Sequence, residues 1–442
     1  MPQKNINREQ ITFFLKKSLH SLKKNKEELS KAESIIVDNV ANFIRLHENE
    51  ISTQYLSVKT QDGLNKPLEI YDTIDEKAYL DELMRVSAVI LTANYFESEI
   101  LNLSTSSKNG KRIKQLNNGI SLFEGGGIVK AYLMEIGDYN VLHLNAPETG
   151  SNTPCGSSDL ARYVRACEYL NPSCIVSFGI CFGIDPEQHK IGHTIVAKKL
   201  YPWSVALKIS NDYIWQVKSD DYSLNLSKEW PNLYKQIDEK AKAFQGDGSG
   251  QCVWLGNMIT SEAVISSEKV KNDAIDRSHG HSIIGGEMEG YGLAKECIHY
   301  NKTPCIVLKA ICDWGAVKDI DQYLKSRLPN YNETAHYKDR IQAYAAHCAY
   351  QFLEILFTEK LVEKNDLIYN LYKKLANRYQ ADYVISKEIL TQFLNEELYD
   401  SSPKYRELCD QKRKEMLERV TSIIIEEYLL EDEVEEMYAF LL

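Results

Sequence analysis

The amino-acid sequence predicts an α/β protein with a mixed, mostly parallel central sheet flanked by helices, and with helical N- and C-terminal segments. Three observations lead to this prediction. Short β-branched or apolar runs recur through the middle of the 442-residue chain, helical stretches lie between several of them, and both ends show the three- and four-residue spacing of amphipathic helices. Apolar strands that alternate with helices are typical of a sheet covered on both faces.

The predicted strands are short and rich in valine, isoleucine and leucine. They are SAVILTA (87–93), GIVKAYLMEIG (127–137), YNVLHL (139–144), CIVSFGI (174–180), HTIVAKKL (193–200) and TPCIVLKAI (303–311). Helices are predicted for SSDLARYVRACEYL (157–170) and GEMEGYGLAKECIHY (286–300). Residues 204–250 are rich in polar side chains and end in QGDGSG, so we expect a long insertion or loop region between strands there.

The pattern divides the chain into three segments. Residues 1–86 open with a lysine-rich stretch that predicts one or two amphipathic helices, and residues 87–360 contain the α/β core. Residues 361–442 predict an acidic helical module, because they contain no glycine, one proline, 18 acidic and 11 basic residues. Helices of this kind bury an apolar face against one another or against a protein partner.

Composition excludes several classes of protein. With 63 acidic and 52 basic residues the net charge is −11, which argues against nucleic acid as the main partner. No apolar run approaches the roughly 20 residues that span a bilayer, and the N-terminus has no apolar signal core, so we expect no membrane contact and a cytoplasmic location. None of the ten cysteines forms a CxxC pair, and HGH (279–281) has no third ligand nearby, so we expect no metal.

Carboxylates stand where predicted strands end or a helix begins. Glu97 follows the first strand, Glu287 and Glu289 flank Met288 at a helix start, and Asp313 follows VLKAIC. Taken singly, each fits a helix cap or a dipole partner better than a functional role. Ligand sites of open α/β sheets form at the carboxyl ends of the strands, so the set together predicts a site.

The sequence around these carboxylates resembles one enzyme superfamily. GGEMEGYGLAKEC (285–297), VLKAICDWGAVKD (307–319) and YAAHCAYQFL (344–353) are similar to segments of the purine nucleoside phosphorylases and nucleosidases, especially the methylthioadenosine/adenosylhomocysteine and AMP nucleosidases. Upstream, SAVILTANYFESE (87–99), VSFGICFGIDPEQHKIGHTIVAKKL (176–200) and MITSEAVISSEKV (258–270) follow in the family's order. The resemblance runs from Ser87 to Phe357 and implies a nucleoside phosphorylase-like fold.

The resemblance also implies catalytic roles. Cleavage of a purine N-glycosidic bond passes through a cationic sugar, so an acid should protonate the leaving base and a carboxylate should hold the sugar. Asp313 is expected to protonate N7 of the purine. Glu289 is expected to bind the ribose 2′ and 3′ hydroxyls, with Met288 packed on the sugar and Glu287 nearby. No cofactor is implied.

The attacking group distinguishes hydrolysis from phosphorolysis. The chain has no arginine in TANYFESE or VSFGICFGI, where the phosphorylases bind phosphate. Glu97 stands where the family's hydrolases carry the glutamate that activates water, and an anionic residue there would repel phosphate. We therefore expect a purine nucleosidase. A purine nucleoside phosphorylase and a degenerate nucleoside-binding sensor stay open as alternatives.

The chain departs from the family pattern near the base. Cys181 and Phe182 are bulkier than the usual small residues, and Thr260 to Val264 (TSEAV) stands where the family has Ser-Gly-Asp-x-Phe, so the stacking phenylalanine is replaced by Val264. We expect Ser261 and Val264 beside the base, with Phe182 or Trp314 supplying an aromatic face.

Two further expectations concern the substrate and the partners. The family also occurs as effector domains of bacterial antiphage defence proteins that cleave ATP and related nucleotides, which implies ATP or AMP as a possible substrate here. Cations in KNGKRIKQ (Lys108, Lys111, Arg112 and Lys114) are the candidates for binding its phosphates, and an exposed loop is the alternative reading. The resemblance implies a homo-oligomer, and the terminal helical segments are candidates for a protein partner.

Overall fold

The computed structural model describes most of the chain. It covers residues 31–53, 70–74, 82–83, 85–116, 129–145, 172–203, 207–210, 213–216, 223–244, 252–261, 265, 267–277, 282–301, 303–317, 320–332, 336–362, 364, 367–379, 386–401, 405–406 and 409–428. The helix predicted over 157–170, Val264 and the two histidines of HGH lie outside these residues.

The strands reproduce every strand predicted from the sequence and add others. They are β1 (Tyr71–Ile74), β2 (Ala88–Thr92), β3 (Ile113–Leu116), β4 (Lys130–Ile136), β5 (Tyr139–Asn145), β6 (Cys174–Gly183), β7 (Thr194–Pro202), β8 (Leu207–Ser210), β9 (Tyr213–Gln216), β10 (Leu224–Asn225), β11 (Val253–Thr260), β12 (Ile283–Glu287) and β13 (Cys305–Asp313).

The helices surround the sheet and form the end of the described chain. They are α1 (Lys31–Thr53), α2 (Tyr95–Asn109), α3 (Leu226–Glu229), α4 (Pro231–Ala243), α5 (Glu268–Arg277), α6 (Gly290–Glu296), α7 (Asp321–Leu324), α8 (Tyr337–Thr358), α9 (Leu367–Tyr379), α10 (Lys387–Ser401) and α11 (Asp410–Tyr428). A π-helical turn, Cys297–Asn301, follows α6. None of these helices is both long and apolar enough to cross a bilayer.

The central sheet is mixed, as predicted. Its order in the described residues is β1-β3-β4-β5-β2-β6-β12-β11-β7-β10, and β13 pairs with both β6 and β7. Parallel pairs join β2 to β5 and β6, β6 to β13, and β11 to β7 and β12. Because β13 bridges β6 and β7, the strands β6, β12, β11, β7 and β13 close into a ring. β6 and β13 are buried almost throughout, which explains their continuous apolar sequences.

Two helices pack on the α/β core in ways that the sequence pattern explains. In α8, Ala345, Ala346 and Ala349 are fully buried, so the helix backbone approaches β13 closely. α1 buries an apolar stripe that includes Val37 and Val40, and it joins the main core. The burial of each of these two valine side chains contributes about 1.5–3 kcal/mol.

Residues 204–250 contain more regular structure than we expected. The described part includes the β8–β9 hairpin, α3 and α4. α4 begins with Pro231 at its first turn and buries Tyr234, Ile237 and Ala241, whose three- and four-residue spacing is that of one helix face. The expectation of a loop region is therefore wrong for this part.

The C-terminal helices have a hydrophobic core of their own. Leucines and isoleucines of α9, α10 and α11, such as Leu371, Leu394 and Ile424, form a buried cluster separate from the main core. The predicted limits 86/87 and 360/361 stay predictions.

Candidate active site

Glu97 is fixed at the junction between β2 and α2. Asn94 caps α2 and accepts a hydrogen bond from the Glu97 amide at 2.9 Å, while Glu97 Oε2 accepts from the amides of Ala93 (2.8 Å) and Asn94 (3.1 Å). Oε1 accepts from the Ile180 amide of β6 at 2.9 Å. The side chain is 2% exposed. Glu97 therefore caps its helix and also ties that helix to the central strand.

Gly179 makes room for this carboxylate. A Cβ at Gly179 would lie 2.0 Å from Glu97 Oε1, which is far inside van der Waals contact, and the φ of +154° also favours glycine. Gly179 thus permits a close approach between β6 and the Glu97 side chain.

Glu287 organises the turn that leads from β12 to α6. Its Oε2 accepts from the amides of Glu289 (2.8 Å) and Gly290 (2.6 Å), and its Oε1 accepts from the Thr260 hydroxyl at the end of β11. Both carboxylate oxygens are therefore used within the protein. Met288 is half-buried within this turn, and Glu289 follows it.

Lys309 joins the carboxylates, although nothing in the sequence analysis had selected it. It lies in the middle of β13, opposite Gly179 of β6, and its side chain is 1% exposed. Its Nζ lies 3.0 Å from Glu289 Oε2. A buried lysine is rare unless it is paired. The single charged residue in the apolar run TPCIVLKAIC therefore indicated a buried lysine with a carboxylate partner.

The electrostatics couple Lys309 to three glutamates. Burial alone would lower the pKa of Lys309, but the charges of Glu289, Glu97 and Glu287 raise it above its ordinary value, so the ammonium stays protonated. Burial raises the pKa of Glu97 and of Glu287, repulsion from Glu289 raises both further, and Lys309 opposes the rise. The structure therefore brings Glu97, Glu287 and Glu289 together around one cation.

Asp313 ends β13, four residues after Lys309 and opposite Phe182 of β6. Its Oδ1 accepts from the Gly315 amide at 2.7 Å, and the Cys312 thiol lies 3.5 Å from Oδ2. Trp314 is 1% exposed, and its indole Nε1 donates to the His189 carbonyl at 2.8 Å. Its ring is held in the core, so it is poorly placed to stack on a ligand.

Of the residues expected beside the base, Cys181 and Phe182 lie near the end of β6, and Ser261 directly follows β11. Cys181 and Phe182 are nearly buried. The ring of Phe182 fills the space where a Cβ of Gly286 or Gly315 would stand, with Cζ 2.1 Å and Cδ2 2.9 Å from those positions. The Ser261 amide donates to the Glu287 carbonyl at 2.9 Å. This bond links Ser261, the first residue of the segment expected beside the purine (the purine-side loop, 261–267), to the turn between β12 and α6.

The structure does not bring the four expected phosphate ligands to this cluster. Eleven residues of α2 separate Lys108 from Glu97, which is about 16 Å of helix. Each cation pairs with a carboxylate: Lys108 with Glu354, Lys111 with Glu135, Arg112 with Asp72 and Lys114 with Glu82. They form exposed ion pairs around the far end of α2.

A metal centre is also not evident. Within the described residues, no group of three or more histidine, cysteine, aspartate or glutamate side chains is arranged to hold a metal ion.

The buried carboxylates lie at strand ends of a mixed α/β sheet, which is where ligand sites of α/β folds form. The model of the phosphorylase superfamily matches residues 106–337, more than half of the chain, and the protein belongs to this superfamily. This confirms the resemblance drawn from the sequence.

Solved structures with a similar chain are distant. A methylthioadenosine/S-adenosylhomocysteine nucleosidase from Colwellia psychrerythraea, in complex with adenine, is 14% identical, with 64% of this chain and 98% of that chain covered and a TM-score of 0.42. Futalosine hydrolase of Helicobacter pylori is 14% identical, with 62% and 99% covered and a TM-score of 0.39. The Neisseria meningitidis nucleosidase in complex with methylthio-immucillin-A is 15% identical, with 59% and 98% covered and a TM-score of 0.38. Comparison with curated proteins gives no match.

Proposed function

We propose that this protein is a purine nucleosidase that hydrolyses the N-glycosidic bond of an adenine nucleoside or nucleotide. The observation that carries the proposal is the cluster of Glu97, Glu287 and Glu289 around the buried Lys309, with Asp313 at the end of the same strand. An excess of carboxylates over cations stabilises a cationic sugar, and an acid at the strand end supplies the proton that the leaving base needs.

The chemistry follows from these positions. Glu289 binds the ribose 2′ and 3′ hydroxyls, and Lys309 fixes its carboxylate. Asp313, in its acid form, donates a proton to N7 of the purine as the bond between N9 and C1′ breaks. Glu97 takes a proton from water while the water oxygen bonds to C1′. The products are free adenine and ribose or a ribose phosphate. Burial raises the pKa of Glu97, which makes it a stronger base than an exposed glutamate.

Hydrolysis is preferred to phosphorolysis on electrostatic grounds. A phosphate dianion near C1′ would approach three buried carboxylates with one compensating ammonium. At about 4 Å, each uncompensated like-charge contact costs roughly 4 kcal/mol near a protein surface. Water carries no such cost.

The terminal helices suggest a regulated enzyme. α1 and the helices from Leu367 onward lie outside the matched residues 106–337, and the C-terminal helices have their own core. We propose that the enzyme acts in the cytoplasm as a homo-oligomeric effector of bacterial antiphage defence, that its substrate is ATP or AMP, and that a protein partner acts through the terminal helices.

The decisive experiment is product analysis with the full chain. Methylthioadenosine, adenosine, AMP and ATP are incubated with the protein in phosphate-free buffer, and free adenine is separated by chromatography. Adenine formed without phosphate supports the nucleosidase. Adenine that appears only with added phosphate, together with ribose 1-phosphate, identifies a phosphorylase. Binding of adenosine without cleavage would identify a sensor.

The defence role has its own test. Bacteria that express the protein are challenged with a panel of phages, and Asp313→Asn serves as the matched inactive control. Protection that is lost in Asp313→Asn supports an effector, and equal plaque counts for the parent, the variant and an empty vector would reject that role for the phages tested.

A further inference from the structure

Lys271 lies outside the carboxylate cluster but contacts the segment that carries Asp313. It belongs to α5, and its side chain is 3% exposed. Its Nζ donates to the Trp314 carbonyl at 3.0 Å and forms an ion pair with Glu268 Oε2 at 2.9 Å. A buried ammonium is costly to desolvate, and a neutral donor or a water molecule would satisfy a single carbonyl. A lysine in this place therefore invites a functional explanation.

The contact fixes the two residues that follow Asp313. Gly315 adopts a φ of +67°, and a Cβ there would meet Phe182 at 2.9 Å and the Lys271 stem at 3.3 Å. The amide of Gly315 in turn donates to Asp313 Oδ1 at 2.7 Å. Because the Trp314 carbonyl and the Gly315 amide belong to the same peptide group, Lys271 sets the orientation of the group that holds the Asp313 carboxyl.

The same lysine links α5 to the segment that follows β13. α5 begins at Glu268, directly after the purine-side loop that starts at Ser261. The Ser261 amide donates a hydrogen bond to the Glu287 carbonyl, so Ser261 is held at the turn between β12 and α6. Lys271 ties the helix at the end of the loop to the segment after β13.

We propose that Lys271 is a positioning residue that holds the carboxyl of Asp313 toward the leaving purine and couples it to α5. This inference rests on the proposed nucleosidase function. Lys271 does not touch the reacting atoms, and it acts through the peptide between Trp314 and Gly315.

The kinetic test is a double-mutant cycle with the full chain. Lys271→Met keeps the apolar stem and removes the ammonium, and we expect kcat to fall about 10- to 100-fold with KM little changed, because a small misplacement of a catalytic group costs that much. If Lys271 acts through Asp313, Lys271→Met lowers the residual rate of Asp313→Asn by less than about twofold, but retains its full effect on Glu97→Gln. Lys271→Arg should recover part of the rate.

Lys269→Met is the matched control, since Lys269 is exposed on the same helix. It should leave kcat unchanged. Equal losses from Lys271→Met in the Asp313→Asn and Glu97→Gln backgrounds would show a general structural defect and overturn the proposal.

Hydrogen exchange separates this inference from the proposed function. Lys271→Met should speed amide exchange in residues 313–317 by at least about tenfold and leave the β13 amides before Cys312 unchanged. Unchanged exchange in 313–317 overturns the proposal whether or not the parent cleaves nucleosides. Faster exchange in a protein whose parent cleaves none of the four substrates rejects the nucleosidase but leaves the contact from Lys271 to this segment established.

Discussion

Removal of the Lys309 charge is the strongest test of the carboxylate cluster. The Nζ of Lys309 lies 3.0 Å from Glu289 Oε2 and the side chain is 1% exposed, so the pair is almost free of solvent screening. With an effective dielectric constant of about 20, the attraction at this distance is about 5–6 kcal/mol. Loss of one partner of a buried pair typically costs about 3–5 kcal/mol, because the other charge stays buried without compensation. We expect Lys309→Met to lower the free energy of unfolding by that amount.

The deficit should depend on pH. Burial already raises the pKa of Glu97 and Glu287 in the folded state, and Lys309 opposes the rise. Without Lys309 the folded-state pKa values rise further above the unfolded ones. Groups of this kind bind more protons when folded, so stability falls as pH rises above the unfolded-state pKa of glutamate. The difference between the parent and Lys309→Met should be small near pH 5 and grow toward pH 8.

Urea unfolding of the full chain, followed by circular dichroism, measures the effect. Lys198→Met is the matched control, because Lys198 is an exposed lysine in the neighbouring strand β7. It should change the free energy of unfolding by less than about 0.5 kcal/mol. Glu289→Gln added to Lys309→Met should restore part of the stability without restoring activity.

Two results would refute this reasoning. A loss of less than about 1 kcal/mol at neutral pH would mean that Lys309 is solvated or unpaired, since even a poorly compensated buried pair exceeds that value. A deficit that does not change between acidic and neutral pH would mean that the neighbouring glutamates are already protonated and do not depend on the lysine charge.

Other changes test single contacts. Asp313→Asn and Glu97→Gln should each lower kcat by about 10²- to 10⁴-fold in the adenine-release assay, the usual contribution of a general acid or base; near-parental rates would remove either residue from the mechanism. Gly179→Ala should destabilise the fold by about 1–3 kcal/mol in urea, because its Cβ would lie 2.0 Å from Glu97 Oε1. Lys111→Ala should leave the ratio of kcat/KM for ATP and adenosine unchanged, since Lys111 pairs with Glu135 at the far end of α2; a selective loss with ATP would restore it as a phosphate ligand. Burial lowers the pKa of His143 to about 3, so this group alone should contribute a loss of about 4–5 kcal/mol as pH falls from about 6.5 to 3, and His143→Gln should lose less than the parent in acid unfolding scans.

The sequence predicted the strands best where they are central. The run CIVSFGI is buried on both faces of the sheet, which explains its continuous apolar sequence. β12 was hidden because its sequence IIGGE is short and has two glycines, so the prediction began a helix at Gly286. The strand in fact continues to Glu287 and α6 begins at Gly290. Gly286 must lack a side chain because the Phe182 ring occupies that space, which is a tertiary constraint that no local pattern reveals.

The site was predictable as a set of carboxylates but not as an electrostatic unit. Glu97, Glu289 and Asp313 each stand at an element boundary, and the family resemblance of the segments around them supplied their expected roles. Lys309 stands in the middle of a strand, 20 positions after Glu289 and 212 after Glu97, and periodicity gives no reason to connect it with either. Its nearness to Glu97 depends on the register that sets Lys309 opposite Gly179, beside the strand to which Glu97 is bonded. The expected phosphate ligands lie away from the site for the converse reason. They are close to Glu97 in sequence, but the length of α2 separates them from it.

The balance of charge around Lys309 also bears on why this site would select hydrolysis. A buried cluster of carboxylates without a cation would take up protons near neutral pH and lose both the base and the anionic face that a cationic sugar needs. A second cation would lower the barrier to a phosphate dianion. One ammonium inside the strand lowers the pKa of Glu97 and Glu287 relative to an unpaired cluster, yet leaves the carboxylates in excess. Lys309 would thus keep Glu97 ionised enough to accept a proton from water while the site stays unfavourable to phosphate. Replacement of Lys309 should therefore shift the pH at which cleavage begins to a higher value, in the same direction as the pKa of Glu97.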